Sequence, residues 1–417
     1  MTLAEELKAR GLVEHASDDI EKILSKTRTA YFGIDPSADS AQVGNLAAIL
    51  LVKRLQNAGH KAIFLVGGVT GMIGDPREKG ERSLLDAAMI AKNTRALKNQ
   101  LRSILGRWSV TLVDNASWLG RMELVPFLRN VAKHFTVNDL IKRDIIKRRL
   151  ETPDESISVT EFVYSLLQGY DYYVLHKKYG VDLQVGGTDQ WTNILSGVEL
   201  VRKKAGDEVY AFTLPIITDS TGKKFGKSEG NAIWLDPDKT SPFQFYQFWL
   251  NTPDDSVERY LKIYTFMPLA DIELLMAKHH AAPQDREAQE TLARLVTEIV
   301  HGPAAVAMAA AATDALFGDT PFANLSREAR AAALAEAPSV TLARSEVEHG
   351  VALTEVLVKG GFASSKSEAR RLIEGRGIVL GDMTIENVDQ DIHVSDFRDG
   401  YTLIRKGKQG VLVLVLK

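Results

Sequence analysis

The sequence predicts an α/β fold, with an open parallel sheet and crossover helices first, a helical region next, and a small C-terminal α+β unit last. Five short β-rich runs, at 29–34, 61–67, 109–113, 181–186 and 212–217, alternate with helical segments. Parallel neighbours cannot be joined by tight hairpins, so that alternation predicts a parallel sheet. From about Ser241 helical spacing takes over, with Phe243, Phe245, Tyr246, Phe248 and Trp249 followed by an Ala-rich stretch at 303–315. A chain of 417 residues exceeds the roughly 250–300 residues at which single cores stop growing, so two or three domains are expected. We place them at 1–225, 226–330 and 351–417, with a linker at 331–350 marked by Ala, Glu and Pro338.

Along the chain, an amphipathic helix opens the sequence. After the first strand, 44–58 carries Leu46, Ile49, Leu50 and Leu55 at helical spacing and stops at Gly59, where a left-handed cap costs least. A longer helix is expected at 161–177. Near the end, 353–375 reads as helical and 377–417 as short strands divided by glycines and charges, with no internal repeat.

Composition excludes several functions. A formal net charge of −3, from 51 basic and 54 acidic residues, gives no global signature of a nucleic-acid binder, so any RNA contact must come from local patches. The absence of cysteine removes disulfides, thiolate metal sites and cysteine nucleophiles, and fits a reducing compartment. No stretch approaches the ~20 apolar residues that a membrane helix needs, and Met1 to Lys26 lacks a continuous apolar core, so the protein is read as soluble and unexported.

Chemistry concentrates where strands end. Tyr31-Phe32-Gly33-Ile34-Asp35-Pro36-Ser37 leaves the first strand, turns at Asp35-Pro36 and enters a helix near Gly44. Such a turn delivers polar groups to the end of a parallel sheet where ligands bind, although taken alone a serine-capped loop is the commoner explanation. The loop Gly67-Gly68-Val69-Thr70-Gly71-Met72-Ile73-Gly74-Asp75-Pro76 lets backbone approach a ligand, or simply packs tightly; no Gly-Lys-Ser/Thr ends it, so it is not a Walker loop. Asp75 suits a ligand ammonium. Tyr164, Gln168 and Asp171, at i, i+4 and i+7, share one face of an otherwise apolar helix and need partners if buried; a solvated stripe is an equal reading. Gly186-Gly187-Thr188-Asp189-Gln190-Trp191 ends a strand with a carboxylate suited to ribose hydroxyls, or caps a helix. Lys223-Lys224-Phe225-Gly226-Lys227-Ser228 places ammonium groups around a glycine, suited to closing over polyphosphate.

In this order and at these separations the segments resemble the bacterial tyrosyl-tRNA synthetases, a class I aminoacyl-tRNA synthetase family, over essentially the whole chain. The resemblance implies a Rossmann-like catalytic domain at 1–225 with an inserted dimerisation and acceptor-stem region, a helical anticodon-side domain at 226–330, and a small RNA-binding domain at 351–417. It implies a cytoplasmic homodimer that joins L-tyrosine to tRNA(Tyr) through tyrosyl-adenylate. ATP would be a substrate accompanied by Mg2+, without a dedicated protein metal site, and neither membrane nor DNA would be a partner. Tyr31 and Asp171 would bond the phenolic hydroxyl, Thr70, Asp75, Tyr164 and Gln168 would surround the ammonium, and Gln190 would meet the carboxylate region. A buried Asp171 would be left unpaired with phenylalanine, which favours tyrosine. Gly33, Asp35, Gly44, Gly187 and Asp189 would form the ATP site, the last two at the ribose. Ser37 would offer a hydroxyl to phosphate, and Lys79, Arg82, Lys224 and Lys227 would stabilise pyrophosphate.

One motif departs from the family. Gln42-Val43-Gly44-Asn45 stands where His-x-Gly-His is usual. An amide NH2 donates as an imidazole N–H does, so Gln42 and Asn45 are expected to preserve activation with altered ATP kinetics. Two other readings stay open: a tyrosyl-adenylate-forming paralogue in resistance or biosynthesis, and a catalytically weak RNA-binding homologue.

On the RNA side, Ser364-Ser365-Lys366-Ser367-Glu368-Ala369-Arg370-Arg371 resembles the small RNA-binding domain appended to these enzymes, with Lys366, Arg370 and Arg371 meeting phosphates. Arg405, Lys406 and Lys408 form a second cluster. The basic groups at 142–149 and at Arg202-Lys203-Lys204 would guide the acceptor stem. Without the resemblance, a solvated basic surface is the plainer reading of the two C-terminal clusters.

Overall fold

The computed structural model describes residues 1–76, 80, 84–105, 110–218, 222, 232–318, 334, 336–381, 383–407 and 410–417, apart from the side chain of Asp144. All five predicted runs form strands. With a short N-terminal strand they are β1 (His15–Ala16), β2 (Thr29–Ile34), β3 (Lys61–Val66), β4 (Thr111–Asp114), β5 (Leu183–Gly187) and β6 (Tyr210–Leu214). They make one sheet in the order β1-β6-β5-β2-β3-β4, parallel from β6 to β4, with β1 antiparallel at the edge. Nearly every residue of β3 and β6 is buried, as in sheets whose two faces are both covered.

The strand order creates a crevice. From β2 the chain moves through β3 to β4 on one side, whereas β5 is followed by β6 on the other, so the direction of winding reverses between the paired strands β2 and β5. Helices diverge from the C-terminal ends of those two strands, and open α/β sheets bind ligands there. The helix Val43–Asn57 follows β2 and is buried along most of its length. It stops where the sequence placed its end, with Gly59 at φ +93°. The helix Val159–Tyr179 precedes β5 and carries Tyr164, Gln168 and Asp171.

The chain divides into two units, Met1–Thr240 with Thr252–Leu292, and Ser241–Asn251 with Ala293–Lys417. The expected helical domain at 226–330 is therefore shared between them. Helices Asp254–Tyr264 and Leu269–Ala281 belong to the first unit: the former packs on the helix Val43–Asn57, and two buried arginines bind the stretch where it ends. Arg10 donates to the carbonyls of Lys262 (3.0 Å) and Met267 (2.7 Å), and Arg54 donates to that of Thr265. Carbonyls at a helix C-terminus lack intrahelical partners and attract cations, which spacing along one segment does not reveal. In the second unit the helix Pro242–Leu250 meets Pro303–Phe317, where Gln247 donates to Thr313 Oγ1 at 2.6 Å.

The second unit also contains β7 (Ser339–Leu342), β8 (Val351–Ala352), β9 (Ile378–Leu380), β10 (Met383–Thr384), β11 (Asp391–Ile392), β12 (Tyr401–Lys406) and β13 (Gly410–Leu416). Five of them form a sheet in the order β10-β9-β12-β13-β7, and β8 pairs with β11. β7 lies within the expected linker. Its alternating burial gives Val340 and Leu342 to the core, and it pairs in parallel with β13, so the ordered C-terminal unit begins earlier than 351.

Candidate active site

A cavity of about 980 Å³ opens at the ends of β2 and β5, and every described residue that lines it belongs to the first unit. Its floor is Asp171, 1% exposed. Trp118 Nε1 donates to Asp171 Oδ1 at 2.7 Å and Asn115 Nδ2 donates to Oδ2 at 2.9 Å. Burial nevertheless raises the carboxyl to about 8, outweighing the two hydrogen bonds that favour its charged form.

Unsatisfied polar atoms surround this group. The Tyr31 hydroxyl, Gln168 Oε1 and Gln184 Oε1 are buried without a hydrogen-bond partner, and all three residues line the cavity. Each such atom costs about 1–3 kcal/mol unless something pairs with it, so three around one cavity mark a polar ligand site. Burial, with the Asp171 charge adding to it, holds the Tyr31 phenol well above its ordinary value and keeps it a neutral donor.

A hydrogen-bond chain leads from the floor to the rim. Asn115 also donates to Thr70 Oγ1 at 2.9 Å, and its carbonyl accepts the Val69 backbone N–H at 2.8 Å. Thr70 donates to Asp35 Oδ1 at 2.7 Å, and Tyr164 donates to Asp35 Oδ2 at 2.8 Å. Gly67 makes room for this carboxylate, because a Cβ there would fall 2.0 Å from Asp35 Oδ1. Asp35, expected on the ATP side, thus organises the residues expected around the amino group. Asp75 accepts from Gln190 at 2.7 Å and from Asn193 at 2.9 Å. Arg143 bonds Ser196 Oγ at 2.5 Å and Asn193 Oδ1 at 3.5 Å, behind that pair.

Gly33, Ser37, Gln42, Gly44, Asn45, Gly187 and Asp189 all line the same cavity. Asn45 Oδ1 accepts the Gln42 backbone N–H at 3.0 Å, which leaves the Asn45 NH2 as the donor. Asp35, Asp75, Asp171 and Asp189 line the cavity, and no Lys or Arg does among the described residues. That field suits an ammonium group and opposes polyphosphate. Lys79, Arg82, Lys224 and Lys227, assigned to phosphate from the sequence, lie outside the described residues.

Sequence reasoning missed Asn115, Trp118, Gln184 and Asn193. The first two follow the C-terminal end of β4, the same end of the sheet as the other motifs, and Gln184 is a polar residue inside an apolar strand. The basic groups need correction. Arg149 is buried against Glu161 at 2.8 Å and Arg143 is bonded inside the unit, so neither is free to guide RNA. Lys203 and Lys204 donate to the carbonyls of His134 and Asn130, and Arg202 pairs with Glu199. Lys366, Arg370 and Arg371 are exposed on the helix Lys366–Glu374; Lys366 pairs with Glu355 and Arg370 with Asp389, contacts of low cost to break. Arg405 and Lys406 donate to the carbonyls of Gly318 and Phe362, and Lys408 lies outside the described residues.

A switch-point cavity with a buried polar floor and a glycine-lined rim is the ligand site of an open α/β fold, and comparison with known proteins gives the class. Residues 25–318 match the family model for tRNA synthetases class I (W and Y), and residues 329–414 match that of the Tyrosine--tRNA ligase SYY-like C-terminal domain. The chain is 44% identical over 416 residues to a tyrosine–tRNA ligase of Roseiflexus castenholzii, covering 98% of each chain. It is also 44% identical to one of Streptococcus equi subsp. zooepidemicus, covering 99% of this chain and 100% of that one. A C-terminally truncated mitochondrial tyrosyl-tRNA synthetase of Aspergillus nidulans superposes with a TM-score of 0.66 at 33% identity, over 73% of this chain and 91% of that one. The chain belongs to the tyrosine–tRNA ligase family of class I tRNA synthetases.

Proposed function

We propose that this protein activates L-tyrosine with ATP to tyrosyl-adenylate and pyrophosphate, then passes the tyrosyl group to the terminal ribose of tRNA(Tyr). The observation that carries this reading is the floor of the cavity, where Asp171 accepts from Asn115 and Trp118 beside the unpartnered Tyr31 hydroxyl. A phenol there donates to Asp171 and accepts from Tyr31. The protons of Thr70 and Tyr164 are committed to Asp35, so their oxygens accept from the substrate ammonium, together with Asp75 and the unpaired Gln168 Oε1. Gln190, fixed on Asp75, stands near the substrate carboxylate.

The tyrosine carboxylate is already a nucleophile, so attack on the α-phosphate needs alignment and charge neutralisation rather than a general base. Asp189 and Gly187 hold the ribose, while Ser37, Gln42 and Asn45 donate to phosphate. Lys79, Arg82, Lys224 and Lys227 neutralise the departing pyrophosphate, and Mg2+ arrives as part of the ATP substrate. Lys366, Arg370 and Arg371 contact tRNA phosphates, and the working form is a cytoplasmic homodimer. No helix among the described residues is long and apolar enough to cross a membrane.

Tyrosine-dependent ATP–pyrophosphate exchange tests the first step, and charging of tRNA(Tyr) from the same source tests the second. Absence of exchange overturns the reading; exchange without charging assigns the protein to a tyrosyl-adenylate-forming paralogue.

A further inference from the structure

The segment from Asp35 to Gln42 carries Ser37 and leads into Asn45, yet it contains no helix or strand of its own. Side chains from elsewhere fix it. Asn93 Nδ2 donates to the Pro36 carbonyl at 3.0 Å. Gln100, seven residues further along the helix Ala87–Leu105 and so on the same face, uses both ends of its amide. Its Oε1 accepts the Ala41 backbone N–H at 2.8 Å and its Nε2 donates to Ser40 Oγ at 2.9 Å.

On the other side, Val43 N–H donates to the Ile233 carbonyl at 3.1 Å and Leu235 N–H to that of Ala41 at 2.9 Å, with Gln42 bridged to Trp234. Lys239 closes this clamp by pairing with Asp39 and lying 4.7 Å from the centre of the Trp234 ring. Gln100 and Lys239 do not line the cavity, whereas Ser37, Ser40, Gln42, Asn45 and Trp234 do.

We propose that Gln100 and Lys239 are positioning residues for ATP, acting through the backbone of the Ser40–Asn45 stretch. Amide donors at Gln42 and Asn45 swing more freely than rings, so their placement against phosphate depends on how firmly this backbone is held. The inference rests on the proposed function.

The test is tyrosine-dependent ATP–pyrophosphate exchange on the full-length chain and on Gln100→Met, Lys239→Met, Asp39→Asn and Lys239→Arg. We expect KM for ATP to rise about two- to fivefold in the first three, the effect of losing one neutral hydrogen bond or one partly exposed ion pair, with KM for tyrosine unchanged. Lys239→Arg should restore most of the loss, and Lys239→Met with Asp39→Asn should be no worse than either alone. Equilibrium dialysis of tyrosine identifies folded variants; should a Met variant fail it, Asp39→Asn and Lys239→Arg carry the comparison. An unchanged KM for ATP, or an equal rise in both KM values, overturns the inference. Wild-type protein without exchange overturns the parent reading instead.

Discussion

The indole N–H of Trp118 lies 2.7 Å from one carboxylate oxygen of Asp171, so a residue 53 positions earlier in the chain orients the group at the floor of the cavity. Replacing Trp118 with Phe keeps a smaller aromatic ring and removes the donor. Leaving a buried polar group without its partner costs roughly 1–3 kcal/mol, so we expect the tyrosine KM to rise about tenfold in pyrophosphate exchange, with the KM for ATP unchanged.

Burial holds Asp171 at about 8 in the free protein, against an ordinary 3.8. Between those values the folded state keeps a proton that the unfolded state has lost. The stability this supplies is complete below the unfolded value and is lost as pH rises through the folded one, by up to about 1.4 kcal/mol per pH unit. Urea denaturation at pH 5.5, 6.5 and 7.5 should show a shallower fall in Asp171→Asn than in the wild type; parallel slopes would contradict the assignment.

Tyr31 should show opposite effects on stability and function. Its hydroxyl is buried and unpartnered, so Tyr31→Phe removes an uncompensated polar atom and is expected to stabilise the free protein by about 1 kcal/mol or more. The same change deletes a donor to the substrate phenol. Thermal unfolding and tyrosine dialysis on one preparation would reveal a higher Tm with weaker binding.

Arg149 belongs to the core and not to the RNA surface. Both it and Glu161 are about 2% exposed, and they pair at 2.8 Å. Arg149→Met strands a buried carboxylate and should cost about 3–5 kcal/mol in chemical denaturation, with much of the loss recovered when Glu161→Leu is added.

Restoring imidazole at the altered motif probes ATP alone. Gln42→His with Asn45→His is expected to change the KM or kcat for ATP while leaving tyrosine binding untouched, because neither side chain is among those proposed to hold tyrosine, although both line the cavity. An unchanged exchange rate would show that the amides already do all that histidine does.

Local pattern made much of this protein legible. The five strand runs, the stop at Gly59 and the face shared by Tyr164, Gln168 and Asp171 are consequences of period, cap chemistry and helical geometry, which neighbouring residues specify among themselves. Local pattern failed where partners are distant. β7 consists of four residues whose role exists only beside β13, and the stretch at 262–267 is tied to the first unit by Arg10 and Arg54, which reach its carbonyls from more than 200 residues away.

The sequence by itself determined the parallel sheet, the family and most of the residues that share the cavity, because ligand-facing motifs sit at strand ends whatever surrounds them. Tertiary structure decided which side chains are committed to one another: Asn115 and Trp118 to Asp171, Thr70 and Tyr164 to Asp35, Arg149 to Glu161. A hydrogen bond or a buried charge depends on distance and desolvation, and both are set only when remote segments pack together.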